Sequence, residues 1–173
     1  DRERALEVMR DPRLGTYGLL GLLGTLALKV LALSTLASYL AARGGDLGNT
    51  ALAGMLLLGH VSSRAWCVLV MSRLLYARAE RTGKAGSMSR RMQWPGILVI
   101  ALTSLPAVLA ALVVAGIEIG AVLFGLGASA VIWLACLRLF RRRLGGYTGD
   151  CLGATQQLTE VAFYLGAMVM LAP

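Results

Sequence analysis

Five long apolar stretches divide the chain, over roughly residues 18–41, 51–76, 94–115, 119–140 and 151–173. A helix needs about 20 apolar residues to cross the hydrocarbon core of a bilayer, where its backbone must satisfy every N–H and C=O internally. Five such stretches in 173 residues leave too little polar chain to cover a water-soluble core. Composition agrees: 57% of the residues are hydrophobic and 15% charged, and the mean hydropathy is +0.71. The expectation is an all-α, polytopic integral membrane helical bundle, one membrane domain with about five transmembrane helices and the lipid bilayer as a partner. The chain opens on charged "DRERALEVMRD" without an initiator methionine or a signal region, and so reads as a portion of a longer protein.

The connections are "ARGGDLGNT", "ARAERTGKAGSMSRRMQ", "GIE" and "RRRLGGYTGD". Threading five spans puts the N-terminal tail, the second connection and the fourth on one side. That side holds nearly all the flanking Lys and Arg, including Arg10, Arg13, Arg78, Arg90, Arg91 and Arg141 to Arg143, whereas the other side holds only Arg43. The positive-inside rule makes the basic side cytoplasmic, at the inner membrane of a bacterium or archaeon. The net charge of +8 is then explained by topology, and nucleic acid is not an expected partner. Cys67, Cys136 and Cys151 stand at no metal-ligand spacing and read as small buried hydrophobes. Tyr76 and Trp94 sit at span ends as interfacial anchors. Ala121, Gly125 and Ser129 form a stripe of small residues on which helix backbones can approach closely.

Ionisable residues at membrane depth are the informative exceptions, since each costs at least about 2.5 kcal/mol near a helix centre and demands a partner or a wet cavity. Lys29 and Arg64 are the deepest; Arg73, nearer a span end, can snorkel. Arg64 lies one turn from His60 and is open to two readings, a structural ion pair or a ligand for a substrate anion. The fifth span carries polar groups in its cytoplasmic half: Thr155, Gln156, Thr159 and Glu160 on one side, with Gln157 at the edge. Thr148 or Asp150 is placed to cap that helix. Gly145, Gly146 and Gly149 give its entry the freedom of a phosphate cradle below three arginines. At the same face the tail supplies Asp11, Arg13, Thr16 and Tyr17. Together these segments point to a shared site for an anionic substrate facing the cytoplasm.

The stretches "RALEVMRDPRLGTYG" (residues 4–18), "HVSSRAWCVLVMSRLLYAR" (60–78) and "LGGYTGDCLGATQQLTEVAF" (144–163) carry a family likeness. In them the chain resembles the adenosylcobinamide-GDP ribazoletransferases, or cobalamin synthases, along essentially its whole length. The resemblance implies a transfer in which α-ribazole or its 5'-phosphate attacks the phosphorus attached to cobinamide, displaces GMP and yields adenosylcobalamin or its 5'-phosphate. It further implies Mg2+, held mainly by an acidic "DGxxDxxD"-like motif upstream of residue 1, and other cobalamin-assembly enzymes as partners. Chemistry of this kind needs in-line positioning and neutralised phosphoryl oxygens. The implied catalytic residues are Asp150, Asp11 and Glu160, the first two also as metal or metal-water ligands. Arg13 and Arg64 are the implied phosphate ligands. Thr16, Gly145, Gly146, Thr148, Gly149, Gln156 and Gln157 are the implied substrate contacts, and a simple pairing of Glu160 with Arg64 stays open. The stretch "AERTGKAGS" departs from the Pro- and Gly-rich continuation expected after "YAR".

Two rival classes share parts of this pattern. A CDP-alcohol phosphotransferase would use Mg2+ in the same setting, but its extended Asp-rich signature is not in these residues. A small transporter subunit would account for Lys29, Arg64 and Glu160 without catalysis, with polar groups spread through the bilayer depth and an internal inverted repeat. No such repeat is detectable, and the polar groups read as gathered toward one end.

Overall fold

The computed structural model describes residues 2–9, 11, 13, 15–42, 44–77, 94–114 and 116–171. A short helix, α1 (Arg2–Val8), precedes five long ones: α2 (Thr16–Ala41), α3 (Gly45–Arg73), α4 (Trp94–Val114), α5 (Ile119–Arg143) and α6 (Gly149–Leu171). No strand occurs among the described residues. The fold is the all-α membrane bundle expected from the hydropathy pattern. Among the described residues α2, α3 and α5 are each long and apolar enough to cross a membrane. The expected loop at residues 78–93, Arg43 and the side chain of Trp94 lie outside the described residues.

The helix boundaries depart from the hydropathy limits where local chemistry differs from bulk apolarity. Helix α3 begins at Gly45, six residues before its apolar stretch, with Asp46 in its first turn where a negative charge suits the helix dipole. Gly44, at φ 104°, makes the turn that a side chain would strain. Gly48 lets the turn close, because a Cβ there would stand 2.4 Å from the Leu40 carbonyl oxygen. At its other end α3 stops at Arg73, and residues 74–77 run on outside the helix. Arg141 to Arg143 are the last turn of α5 rather than part of a loop; cations there complement the negative end of the dipole.

Helix α6 is the centre of the bundle, packed most extensively on α5 and then on α3 and α2. The small-residue stripe makes the α5–α6 contact as expected: Ala121 and Ser129 are fully buried, and a Cβ on Gly125 would stand 2.8 Å from the Phe163 ring. Ser129 Oγ donates to the Thr159 carbonyl at 2.8 Å. One apolar cluster joins Leu36, Met55, Val122, Phe163 and Tyr164; a second, toward the end bearing the arginine run, joins Val70, Trp133, Phe140, Leu144 and Tyr147. Helix α2 is buried only at Ala32, Leu36 and Leu40, all beyond its midpoint. Everything before Lys29 in that helix is exposed or half-buried.

Candidate functional site

Three helix midpoints meet at one carboxylate. Lys29 of α2, His60 of α3 and Glu160 of α6 each lie close to the centre of their helix. Glu160 is 1% exposed. Its Oε1 accepts from Lys29 Nζ at 2.9 Å, from the Tyr164 hydroxyl at 3.0 Å and from His60 Nδ1 at 3.1 Å. Its Oε2 is buried and has no partner among the described residues. With Nδ1 donating to a carboxylate, a neutral His60 is fixed in the tautomer that leaves Nε2 as an acceptor. The His60 side chain is 54% exposed.

This arrangement corrects two expectations. The polar groups of the fifth span are not confined to its outer half, because Glu160 stands at mid-helix. Glu160 does not pair with Arg64 either: the Arg64 side chain is exposed and donates only a 3.4 Å bond to the carbonyl of His60, one turn back on α3. Sequence reasoning singled out Glu160, Lys29 and His60 separately but did not join them. Tyr164, one turn on from Glu160, was open to discovery from i, i+4 spacing. The pairing of Lys29 and His60 with Glu160 was not, since they come from distant helices.

The α5–α6 connection is a second polar element. Tyr147 N–H donates to the Leu75 carbonyl at 2.9 Å, and Ala77 N–H donates to the Tyr147 carbonyl at 2.8 Å, an isolated parallel bridge between Tyr76 and Tyr147. Gly146 permits it, since a Cβ would come within 2.4 Å of the Leu75 oxygen. Gly145 turns the chain at φ 65°. The Tyr76 and Tyr147 rings meet edge to face, 5.6 Å apart, so Tyr76 is packed as much as anchored. Burial pushes the Tyr147 phenol above its usual pKa. Arg2 of α1 donates from Nε to the Leu144 carbonyl at 2.8 Å, fastening the tail to this connection. Thr148 caps α6 with its Oγ1 accepting from Cys151 N–H at 3.4 Å, and Asp150 follows in the first turn, exposed beside Gly149.

In the tail, Asp11 and Arg13 hold each other: Arg13 Nη2 lies 2.8 Å from Asp11 Oδ2 and Nε 3.0 Å from Oδ1. That guanidinium, with the Arg13 backbone N–H, keeps the Asp11 carboxyl below the usual carboxylate range. Thr16 opens α2 and is exposed. Along α6, Thr155 and Thr159 are buried and bond back to their own helix, whereas Gln156 is half-buried and Gln157 exposed. The structure thus joins Asp11 to Arg13, and Thr148 to the α6 entry; it ties Glu160 to α2 and α3 rather than to either group. Among the described residues no three His, Cys, Asp or Glu side chains gather as a metal site, and Asp11 is engaged by Arg13. These residues therefore do not by themselves form a set of ligands for a divalent cation.

An all-α bundle of apolar helices joined near their midpoints by a buried carboxylate and a lysine is a polytopic membrane protein with a polar interior. Comparison with known proteins specifies it further. A family model described as cobalamin-5-phosphate synthase matches residues 1–168, and the chain belongs to that family. The adenosylcobinamide-GDP ribazoletransferase of Leptothrix cholodnii is 44% identical over 167 residues, covering 95% of this chain and 59% of the relative. The proteins of the same name from Rhizobium meliloti and Shewanella amazonensis are 42% and 36% identical, over 98% of this chain and 61% and 60% of theirs. The chain thus spans about three fifths of the length of these relatives. No solved structure matches it.

Proposed function

We propose that the chain serves the reaction for which its relatives are named, the joining of adenosylcobinamide-GDP to α-ribazole or its 5'-phosphate. The ribazole hydroxyl oxygen bonds to the phosphorus on cobinamide as the bond to GMP breaks, giving adenosylcobalamin or its 5'-phosphate, and the hydroxyl proton is released. The observation that carries this reading is the unbroken family match over residues 1–168, which takes in all three motif stretches. The reaction belongs at the cytoplasmic membrane, with the arginine-bearing end of the bundle facing the cytoplasm.

Within this reading, Arg13 and Arg64 offer guanidinium forks to phosphoryl oxygens, and Thr16, Thr148, Gly145, Gly146, Gly149, Gln156 and Gln157 approach the substrates. Glu160 acts from mid-membrane as a positioning group, its charge balanced by Lys29. Mg2+ is the cofactor that the resemblance implies, with Asp150 and Asp11 as this chain's contribution to it. When bound, such an ion neutralises charge on phosphoryl oxygens. Release of Asp11 from Arg13 is the first requirement for its share of that role.

The test is an assay of the intact protein in membranes, with adenosylcobinamide-GDP and α-ribazole supplied and GMP release and cobalamin followed together. Stoichiometric appearance of both is expected. Absence of both from a protein that is folded and inserted would overturn the reading.

A further inference from the structure

Where α3 and α5 end side by side, a concavity of about 310 Å3 opens between them, lined by Arg73, Leu74, Leu75, Leu137, Arg141 and Gly145. Its chemistry is one-sided. Among the described residues the lining contains two arginines and no carboxylate, and neither Arg73 nor Arg141 has an ion-pair or hydrogen-bond partner among the described side chains. The C-terminal ends of α3 and α5 each contribute roughly half a negative charge from their carbonyls. The two full positive charges of Arg73 and Arg141 outweigh that.

Topology alone does not require this shape. Retaining positive charge on one side of a membrane needs arginines in number, not two of them converging on a hollow. Leu137 and Leu74 line the concavity with apolar surface on which the arginine stems can lie. Gly145, at φ 65°, completes the wall without a side chain. The volume is near the lower limit of ligand pockets. At a helix end in a membrane bundle, the anion that matches a pair of arginine forks is a phosphate ester.

We propose that this concavity is a phosphate-ester site, with the phosphate oxygens held between Arg73 and Arg141 at the level of the lipid headgroups. The site is separate from the Glu160 network, shares only Gly145 with the substrate contacts proposed above, and is tested by binding and not by turnover. The phosphate belongs either to an anionic lipid or to a water-soluble phosphate.

The full chain is purified in detergent and titrated with phosphatidylglycerol, and retained lipid is counted by native mass spectrometry. Inorganic phosphate binding is followed in parallel by 31P NMR. The variant R73Q/R141Q is compared with R138Q/R143Q, which removes the same charge from exposed positions outside the hollow. Two arginines near an anionic headgroup are together worth about thirtyfold in affinity, so R73Q/R141Q is expected to weaken binding by about that factor while R138Q/R143Q leaves most of it. Arginine-dependent retention of the lipid that inorganic phosphate does not displace assigns a lipid headgroup. Arginine-dependent binding of inorganic phosphate, with or without displacement of lipid, assigns a site open to free phosphate. Equal weakening by both variants, or no effect of R73Q/R141Q in a protein with unchanged melting temperature, would overturn the proposal, as would the binding of neither probe.

Discussion

Replacing Lys29 by methionine removes the lysine or arginine charge bonded to Glu160 among the described residues while keeping an unbranched side chain in its place. Breaking a buried ion pair from one side costs about 3–5 kcal/mol, because the surviving charge is left without its counterion. Two features of the site put K29M at the lower end, about 3 kcal/mol: Lys29 is 23% exposed, and Tyr164 and His60 continue to donate to the same oxygen. For a chain of this size each kcal/mol moves the melting temperature by about 2–4 °C, so a fall of about 6–12 °C is expected. The double variant K29M/E160Q removes both charges and preserves a carbonyl acceptor for Tyr164 and His60. It should recover most of the loss, giving a coupling of at least about 2 kcal/mol. Interhelical hydrogen bonds in membranes average only about 0.6 kcal/mol in such cycles, and this separates a charge pair from an ordinary polar contact. Unfolding can be followed with a maleimide dye in detergent or bicelles, because Cys136 and Cys151 are buried at 6% and 3% exposure and react once the bundle opens. Additive effects in the cycle, or a coupling no larger than about 0.6 kcal/mol, would refute the claim that Lys29 and Glu160 pin α2 to α6.

Other perturbations test other contacts. Gly59→Ala would put a Cβ 2.5 Å from the Tyr164 ring, displacing the hydroxyl that reaches Glu160; a loss of about 1–3 kcal/mol is expected from overpacking. The control Gly153→Ala, with nothing within 4 Å, should keep or raise the melting temperature through helix propensity. Asp150→Asn in the intact enzyme is expected to lower turnover about 10- to 100-fold and to raise the Mg2+ concentration needed; unchanged turnover and unchanged Mg2+ dependence would remove Asp150 from the site. Because Arg13 depresses the Asp11 carboxyl, their pairing holds above the ordinary carboxylate range and is lost as pH falls through the lowered folded value. In R13A the Asp11 midpoint, read by carboxyl 13C NMR, should rise toward that of a free carboxylate.

The all-α membrane bundle and the order of its long helices were legible in the sequence because the bilayer imposes a local rule on length and apolarity, satisfied within each segment. The small-residue stripe of Ala121, Gly125 and Ser129 was legible for a similar reason: its i, i+4 spacing already defines a face. That the last helix is capped by Thr148 or Asp150 followed from their place before an apolar run, and the structure gives the cap to Thr148. Charge balance across the loops likewise requires no knowledge of which helix touches which. The family, too, was readable from three linear stretches.

What the sequence left open was partnership across the bundle. His60 and Glu160 are 100 residues apart, and nothing in the periodicity of α3 says that His60 reaches α6 while Arg64, one turn on, does not. Which side chain neutralises Glu160 depends on how the midpoints of α2, α3 and α6 are brought into register, a matter of helix packing against Phe163 and Tyr164. The hollow between Arg73 and Arg141 has the same origin. Their charges were evident from composition, but only the side-by-side ends of α3 and α5, joined through the Tyr76–Tyr147 bridge and the close approach at Gly146, turn two topological arginines into two walls of one cavity. Local chemistry determined the helices and their polarity; long-range packing decided which of their polar groups share a site, because electrostatic pairing in a low-dielectric interior depends on distance in space and not on distance along the chain.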